Sequence, residues 1–404
     1  MVTRRRVQSI AIRFYPPSYD IRVESVPMPQ ITHSDDAIVR IHLSGLCGSS
    51  LHVYRGHEAV DKMRVYFSGA YHTCGHEFIG QVVKLGSSFS VHTLRLPSLY
   101  AKLKTGDKVV CPFPTSCGVC QVCRSGFTCR CIQSKLFGSP ALEGVQAQYI
   151  RVPSASGTLF NLSDPDAWPL SKLKQVSDSS LLLLADILPT GIFAAIQALS
   201  HSKVLPVPAA EPWPPHGKAS KNIPTFAIIG LGPVGFCATI RFKIIAVDPI
   251  ESRRNKMRSI YFEISDLGVS QEIFVVQSIE EVKETVHTWT SDVGCSAVLE
   301  VVVGNNSALT LAYELVQPFG SMSSVDAHGV HPFPLTGGQL YDKNVSFDFG
   351  RCPVRSLFPM AFELLSDESS LIDRIVGFDK AVEMYATFDK GEVGKIVFNP
   401  WKET

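Results

Sequence analysis

The sequence has no excess charge of either sign and no long apolar run. Its 38 Lys and Arg residues balance 37 Asp and Glu residues, which leaves a formal net charge of +1. Such a chain has no general electrostatic attraction for nucleic acid or for an anionic membrane surface. The longest apolar segment, LLLLADILPTGIFAAI, is interrupted by Asp186 and Pro189 and falls short of the roughly 18 residues that a membrane span needs. We therefore expect a small-molecule partner, and neither nucleic acid nor a membrane.

The amino terminus also lacks the features of a secretory signal. The segment MVTRRRVQSIAIRF is basic, but no apolar stretch with a small-residue cleavage site follows it. This predicts a cytoplasmic protein. In that reducing compartment the 11 cysteines are expected to be metal ligands or buried thiols rather than a disulfide framework.

The 404 residues exceed the length at which a single core usually stops growing, so two domains are expected. From about Gln8 to Ile150, short β-rich runs alternate with Gly, Pro and Ser clusters, which predicts a mostly β domain. From Thr225 onward, the strand-like segments TFAIIG, KIIAVD, EIFVVQ, AVLEVVV and GSMSSV alternate with helical stretches. This pattern predicts an α/β domain with a parallel, doubly wound sheet. The carboxyl-terminal VGKIVFNPW is interpreted as a strand that returns to the first domain.

The most specific motif is a run of five cysteines. Cys117, Cys120, Cys123 and Cys131 have the spacing C-x2-C-x2-C-x7-C, which allows one loop to surround a zinc ion tetrahedrally. Four thiolates leave no position for water or substrate, so we expect a structural zinc that stabilises a lobe without its own core. Cys129 is the alternative to Cys131 as fourth ligand. A nucleic-acid zinc ribbon would need two separated C-x2-C pairs and a basic face, and the sequence has neither.

Two further motifs contain zinc-ligand residue types. SGLCGSSLHVYRG contains Cys47 and His52, and YHTCGHEFIG contains His76 and Glu77. Thiolate, imidazole and carboxylate groups all bind zinc. Each motif alone is weak evidence, but their presence in one chain with a structural-zinc loop indicates a second metal site.

A glycine-rich motif follows a strand-like segment in TFAIIGLGPVGFCATI. Gly230, Gly232 and Gly235 form the pattern G-x-G-x-x-G, which permits a tight turn and a close approach of the backbone to a pyrophosphate at a helix N-terminus. The next strand ends in Asp248, which is expected to bind the adenine ribose hydroxyls. Because a carboxylate repels a 2'-phosphate, Asp248 favours NAD over NADP.

The segment between the glycine-rich motif and Asp248 is short. Asp248 follows Gly235 by 13 positions, whereas this fingerprint usually has about 20. We therefore expect a shortened first helix, from Pro233 to about Arg241. Arg253 and Arg254 either flank the ribose or are solvated.

These motifs together resemble the zinc-dependent medium-chain alcohol dehydrogenases along nearly the whole chain. Cys47, GHE, GDKVV, the four-cysteine loop, the glycine motif and GEVGKIVFNPW stand in the family's order. The resemblance implies a mostly β GroES-like catalytic domain, residues 1–188 with 346–404, and a Rossmann NAD-binding domain, residues 189–345. It also implies two zinc ions per chain, NAD, a small alcohol or aldehyde substrate, and a homo-oligomer, either a dimer or a tetramer.

The resemblance also assigns the ligands of the catalytic zinc. They are Cys47, His76 and a residue shortly before a TG pair, which here is Asp186. An Asp at this position resembles the branch that contains glutathione-independent formaldehyde dehydrogenases, although the long insert of that branch is not found after Cys131. Glu77 is implied as an alternate ligand during exchange.

The remaining roles also follow from the resemblance. Ser49 and His52 form a proton relay from the substrate oxygen through the cofactor ribose. Thr190 lies against the nicotinamide, and Arg351 contacts the pyrophosphate or forms a surface salt bridge. Many relatives have Asp where this chain has Ser50, as a partner of the metal-bound histidine, and loss of such a partner costs about 10 to 100-fold in metal affinity or activity. A catalytically impaired zinc- and nucleotide-binding homologue is therefore one alternative function, and a polyol or formaldehyde dehydrogenase is another.

Overall fold

The computed structural model describes residues 8–56, 71–89, 102–202, 204, 224–238, 243–265, 272–302, 306–326, 328, 332–365 and 371–402. The chain forms two compact units. The first comprises Met1–Asp186 and Pro353–Thr404, and the second comprises Ile187–Cys352. The sequence-based division at residues 188 and 346 differs from these bounds, because residues 187–188 and 346–352 belong to the second unit and not to the first. The strand at residues 346–349 pairs with the sheet of the second unit.

The first unit is mostly β. Its strands are β1 (Gln8–Tyr15), β2 (Asp20–Pro27), β3 (Ala37–Leu46), β4 (His72–Thr73), β5 (Phe78–Leu85), β6 (Lys108–Cys111), β7 (Tyr149–Val152), β8 (Phe160–Asn161), β15 (Ile372–Val376) and β16 (Lys395–Phe398). Its α-helices are α1 (Ser50–Tyr54), α2 (Gln121–Arg124), α3 (Ala155–Thr158), α4 (Leu170–Leu173), α5 (Asp178–Leu182), α12 (Val354–Leu364) and α13 (Ala381–Asp389). Short 3₁₀ helices cover Ser87–Phe89, Thr128–Arg130, Leu183–Ala185 and Phe378–Lys380.

Strand pairing brings distant segments of this unit together. The larger sheet has the order β15-β16-β3-β5-β6-β8, with β7 also paired to β3, and the smaller sheet has the order β2-β1-β4. β3 and β5 are antiparallel, with Ser44 opposite Phe78. β16 is antiparallel to β3, with Val397 opposite Gly45. As a result, the end of β3, the start of β5 and the start of β16 lie side by side.

Strands β3 and β5 contribute apolar side chains to a shared core. Ala37, Val39 and Ile41 of β3 pack in one buried cluster with Phe78 and Val82 of β5. Because successive side chains of a strand point to opposite faces, residues two apart share a face. The short β-rich runs that predicted these strands therefore supply the side chains of this cluster.

The second unit contains a single six-stranded sheet among its described residues. Its strands are β9 (Thr225–Ile229), β10 (Lys243–Val247), β11 (Glu272–Val276), β12 (Cys295–Glu300), β13 (Val316–Ser324) and β14 (Ser346–Phe349). Its helices are α6 (Ile187–Leu199), α7 (Pro233–Cys237), α8 (Glu251–Ser265), α9 (Ile279–Thr290), α10 (Asn306–Leu315) and α11 (Gly337–Lys343).

The sheet of the second unit has the doubly wound topology that the sequence predicts. Its order is β11-β10-β9-β12-β13-β14, and its strands pair in parallel. This is the Rossmann strand order 3-2-1-4-5-6. Strands β10 and β11 lie on one side of β9, and the last three strands lie on its other side. Phe226 and Ile228 pack in one cluster with α6, whereas Ala227 and Ile229 pack in another with α9 and α10. Burial on both faces explains why these strands are continuous apolar runs.

Within the part of the chain that the structure describes, no single helix has the length and hydropathy of a membrane span. The segments Asp178–Ala185 and Ile187–Leu199 meet that criterion only when they are counted together across their break.

Candidate zinc and nucleotide sites

Four side chains with zinc-ligand chemistry converge in the first unit. Cys47 directly follows β3, His76 and Glu77 directly precede β5, and Asp186 follows the 3₁₀ helix Leu183–Ala185. All four are buried. Each offers a donor atom, and these atoms all lie within 4.8 Å of one another. We refer to Cys47, His76, Glu77 and Asp186 as the mixed-ligand group.

Within the mixed-ligand group, the Asp186 carboxylate lies close to both the Cys47 thiol and the His76 imidazole. Asp186 Oδ2 lies 3.5 Å from Cys47 Sγ and 3.3 Å from His76 Nε2. Ser49 Oγ lies 3.3 Å from Cys47 Sγ and 3.4 Å from His76 Nε2. The structure thus places the Ser49 hydroxyl beside the same donor atoms. His52 is three residues further along the chain, within α1.

Electrostatics inside the mixed-ligand group favour a bound cation. Burial raises the pKa of the Cys47 thiol, and the nearby carboxylates of Asp186 and Glu77 raise it further. Burial lowers the pKa of His76, but hydrogen bonds to Asp186 and Cys47 outweigh it and raise that pKa to about 10. The group therefore holds protons in the absence of a cation. A divalent ion would replace them, as expected for ligands that bind metal in deprotonated form.

The donor set fits zinc. Sulfur, imidazole nitrogen and carboxylate oxygen are its usual protein ligands, and three of them leave a fourth position for substrate. The residues come from segments around positions 47, 76 and 186, so the tertiary fold, and not local spacing, creates this arrangement.

The four-cysteine loop forms a second group of donors. The sulfur atoms of Cys117, Cys120, Cys123 and Cys131 lie within 4.8 Å of one another. Backbone N–H groups donate to these sulfurs, including Cys120 N to Cys117 Sγ at 3.4 Å and Cys123 N to Cys120 Sγ at 3.5 Å. Backbone hydrogen bonds from Ile132 and Cys123 lower the pKa of Cys120 to about 6. Burial raises the pKa of Cys123 and of Cys131, so these two thiols would release their protons to a bound metal ion. Four sulfur donors at these distances suit a closed, tetrahedral zinc.

The fifth cysteine of the loop lies outside this group. Cys129 is buried in the short helix Thr128–Arg130, and the set of mutually close sulfurs contains Cys131 instead. None of the eleven cysteines, all of which lie in the described ranges, forms a disulfide.

The glycine-rich loop connects β9 to α7 in the second unit. Gly230 has φ +98°, a conformation that L side chains rarely adopt. A Cβ atom on Gly235 would lie 2.0 Å from the Gly230 carbonyl oxygen, so the turn requires glycine there. A Cβ atom on Gly232 would meet nothing within 4 Å, which leaves open space for a ligand beside the backbone.

Asp248 reaches this loop in spite of the short crossover. β9 and β10 pair with Val247 beside Ile229, so Asp248 follows β10 next to the loop. Its Oδ2 accepts a hydrogen bond from Leu231 N at 2.8 Å, and its Oδ1 accepts one from Ile250 N at 2.8 Å. Helix α7, at five residues, is shorter than the nine-residue helix that the sequence suggested, and residues 239–242 lie outside the described residues.

The other predicted nucleotide contacts also lie in the second unit. Arg253 Nη1 lies 3.4 Å from Asp248 Oδ2. Arg254 donates to the Asp248 and Pro249 carbonyl oxygens at 2.8 and 2.6 Å. Both arginines thus contact Asp248, which follows β10, and Arg254 is buried rather than solvated. Thr190 is buried in α6, and Arg351 is half-buried just after β14.

The structure also reveals a buried ion pair that sequence reasoning missed. Lys395 Nζ donates to Glu77 Oε2, and both side chains have 0% exposure. Burial lowers the pKa of Lys395, but the charges of Glu77 and Cys47 outweigh it and raise that pKa. The only sequence signal was a lysine in the otherwise apolar strand segment KIVF.

A second missed cluster lies in the second unit, where β12 and β13 end. Glu300 Oε2 lies 2.9 Å from His328 Nε2 and accepts a hydrogen bond from Ser324 Oγ at 2.8 Å. Burial lowers the pKa of His328, but the hydrogen bond to Glu300 outweighs it and raises that pKa. Open parallel sheets bind ligands at the carboxyl ends of their strands, so this cluster belongs to the same edge as the glycine loop.

Comparisons with known proteins identify similar chains. Residues 33–164 match the alcohol dehydrogenase GroES-like domain. The chain is 36% identical to zinc-type alcohol dehydrogenase B of Aspergillus flavus, over 96% of this chain and 80% of that protein. It is 25% identical to a glutathione-independent formaldehyde dehydrogenase of Pseudomonas aeruginosa, over 94% of this chain and 95% of that protein.

A solved structure gives the same result for the fold. Alcohol dehydrogenase TADH from Thermus sp. ATN1 superposes with a TM-score of 0.72 and 26% identity, over 96% of this chain and 99% of that chain. The likeness therefore spans both units. With this coverage, and with 36% identity to a zinc-type enzyme, the protein belongs to the zinc-dependent medium-chain alcohol dehydrogenase family.

Proposed function

We propose that this oxidoreductase oxidises a small alcohol reversibly, with NAD as hydride acceptor. It would hold one zinc ion at Cys47, His76 and Asp186 and a second in the four-cysteine loop. The observation that carries the proposal is the convergence of a buried thiol, imidazole and carboxylate from three distant segments. Four thiolates alone would support only a structural role.

The residues around the mixed-ligand group suit proton removal from an alcohol. Bound zinc would supply Lewis acidity at the substrate oxygen, and bound NAD would accept the hydride. The Ser49 hydroxyl, 3.3 Å from Cys47 Sγ, lies where it can accept the proton of a substrate hydroxyl. His52 follows in α1, and an imidazole is suited to pass a proton to solvent.

The geometry around Asp248 supports NAD rather than NADP. Its buried carboxylate is held by the N–H groups of Leu231 and Ile250. The negative charge of this carboxylate repels a 2'-phosphate, and Arg253, 3.4 Å from Asp248 Oδ2, offsets part of that charge. Gly230, Gly232 and Gly235 would face the pyrophosphate, with Thr190 at the nicotinamide and Arg351 at the pyrophosphate as further proposed contacts.

Some features stay predictions. They include a dimeric or tetrameric assembly, a cytoplasmic location and the identity of the alcohol or aldehyde. The relatives do not favour the alternative in which the chain is a catalytically impaired homologue, nor the narrower polyol or formaldehyde reading.

Cofactor-reduction kinetics test the proposal. Protein with measured zinc content would be assayed with NAD and with NADP across short alcohols, polyols and aldehydes. We expect two zinc ions per chain and alcohol-dependent formation of NADH, with NADP used less efficiently. Fewer than two zinc ions, or no reduction with any alcohol, would contradict it.

A further inference from the structure

Lys395 is a charged side chain in a place where charge is costly. It begins β16 and its side chain is fully buried. An isolated ammonium group in a protein interior is strongly unfavourable unless it is paired. Its partner is Glu77, whose side chain is also fully buried and which belongs to the mixed-ligand group.

Gly45 makes this pairing sterically feasible. The antiparallel pairing of β16 with β3 sets Val397 opposite Gly45, and Gly45 N donates to the Glu77 carbonyl oxygen at 2.9 Å. A Cβ atom on residue 45 would lie 2.2 Å from Glu77 Oε2 and 3.0 Å from Lys395 Nζ. Glycine therefore leaves the space in which carboxylate and ammonium meet.

The charges of the occupied group balance only when Lys395 is counted. The Cys47 thiolate and the Asp186 and Glu77 carboxylates carry three negative charges, with His76 neutral. A zinc ion contributes two positive charges, and Lys395 contributes the third. Because all of these groups are buried, an uncompensated charge would be costly.

The two oxygens of Glu77 have different surroundings. Oε2 accepts from Lys395, whereas Oε1 is buried and has no hydrogen-bond partner among the residues described here. A carboxylate with one anchored oxygen and one unsatisfied oxygen can approach a cation without losing its anchor. Without the Lys395 ammonium group, the nearest positive charge to the Glu77 carboxylate would be the metal ion.

We propose that Lys395 is a positioning residue that restrains Glu77, so that this carboxylate does not close the fourth position on the zinc. The proposal rests on the proposed function, because it requires a metal at the mixed-ligand group. Removal of the ammonium group would turn Glu77 into a permanent fourth ligand. The zinc would then be retained, but an external ligand would bind it more weakly.

Cobalt substitution tests this directly. In Co²⁺-substituted protein, imidazole should change the visible d–d absorption through the mixed-ligand group, since the four-cysteine loop is closed. In Lys395→Met we expect about tenfold weaker imidazole binding, lower kcat and an unchanged metal content. Lys395→Arg should keep the wild-type response. The double variant Lys395→Met/Glu77→Gln should recover imidazole binding, because its amide is a poor ligand.

Controls separate the proposal from a structural role. Lys390→Met removes an exposed lysine from the same unit and should leave the imidazole response unchanged. If Lys395→Met does not fold, Gly45→Ala should weaken imidazole binding in the same way, because the added Cβ displaces Glu77 from Lys395. A wild-type imidazole response in Lys395→Met or in Gly45→Ala would overturn the proposal.

The cobalt experiment distinguishes a failure of the proposed function from a failure of the positioning role of Lys395. If the wild-type protein itself showed no imidazole-sensitive cobalt, the proposed function would fail. If the wild-type protein responded and Lys395→Met lost its metal without rescue by Glu77→Gln, only the positioning role would fail.

Discussion

The mixed-ligand group and the four-cysteine loop belong to the same unit but are assembled in opposite ways. The loop draws its four sulfurs from the fifteen positions between Cys117 and Cys131, and its own backbone N–H groups bond to them. The mixed-ligand group joins residues up to 139 positions apart and depends on the β3–β5 pairing. The four-cysteine loop, which is built from neighbouring residues, surrounds a metal with four identical donors. The mixed-ligand group, which is built from distant segments, combines different donors and leaves one position on the metal for substrate.

The charges around the two groups differ as well. The mixed-ligand group has a buried counter-ion, Lys395, on its second carboxylate. In the loop, backbone hydrogen bonds from Ile132 and Cys123 stabilise the Cys120 thiolate. A salt bridge between two side chains, such as Lys395 and Glu77, can adjust when a ligand of the metal is exchanged. Backbone hydrogen bonds are fixed by the fold, which suits a metal site whose four ligands stay the same.

The largest effect is expected from Cys47→Ser. Because loss of an outer-shell partner already costs about 10 to 100-fold, loss of a ligand should reduce kcat by more than about 100-fold. Zinc analysis should show one ion per chain in place of two, with the four-cysteine loop still occupied. Two retained zinc ions and undiminished NADH formation would remove Cys47 from the ligand set.

Ser49→Ala should have the next largest effect. We expect kcat to fall by about 100-fold, the lower range for loss of a proton-transfer group, while both zinc ions stay bound. Ser49→Thr keeps a hydroxyl and serves as the matched control. Equal activity of the Ala and Thr variants, measured by NADH formation, would exclude Ser49 from proton transfer.

Cys123→Ser should affect stability more than chemistry. One zinc ion should be lost, and the unfolding temperature should fall by at least about 5 °C, since each kcal/mol corresponds to about 2–4 °C for a unit of this size. Calorimetry and zinc analysis would measure these changes, and kcat should fall far less than in Cys47→Ser. An unaltered unfolding temperature would contradict a stabilising zinc in the loop.

The smallest effect is expected from Cys129→Ser. This buried cysteine lies outside the set of close sulfurs, so its replacement should cost about 1 kcal/mol and no zinc. Cys131→Ser, in contrast, should lose one zinc ion. Reversed zinc contents of these two variants would make Cys129 the fourth ligand.

Motifs with short spacing were predictable because their geometry is local. The C-x2-C-x2-C-x7-C run needs only one loop to close around an ion. G-x-G-x-x-G describes one turn, in which Gly230 has a positive φ and Gly235 has no room for a Cβ atom. The strands of both units were predictable because they are short β-rich or apolar runs whose side chains pack into buried clusters. The length of α7 was not, since the sequence suggested nine residues and the structure has five.

Asp186 was predicted as a metal ligand from the family resemblance and not from the spacing of residues in a motif. An aspartate 110 positions from His76 carries no local metal signal, and the family comparison alone singled it out before the structure placed its carboxylate 3.3 Å from His76 Nε2. Glu300 and His328 had no such comparison to single them out, although they contact one another in the fold.

By itself, the sequence determined that this chain folds into a β-rich unit and a doubly wound unit, with a thiolate clamp and a glycine turn, because each of these depends on neighbouring residues. Only the tertiary structure decided that Lys395 contacts Glu77. That contact requires β16 to pair with β3 beside a glycine, and strand pairing between residues over 300 positions apart leaves no periodic trace in the sequence.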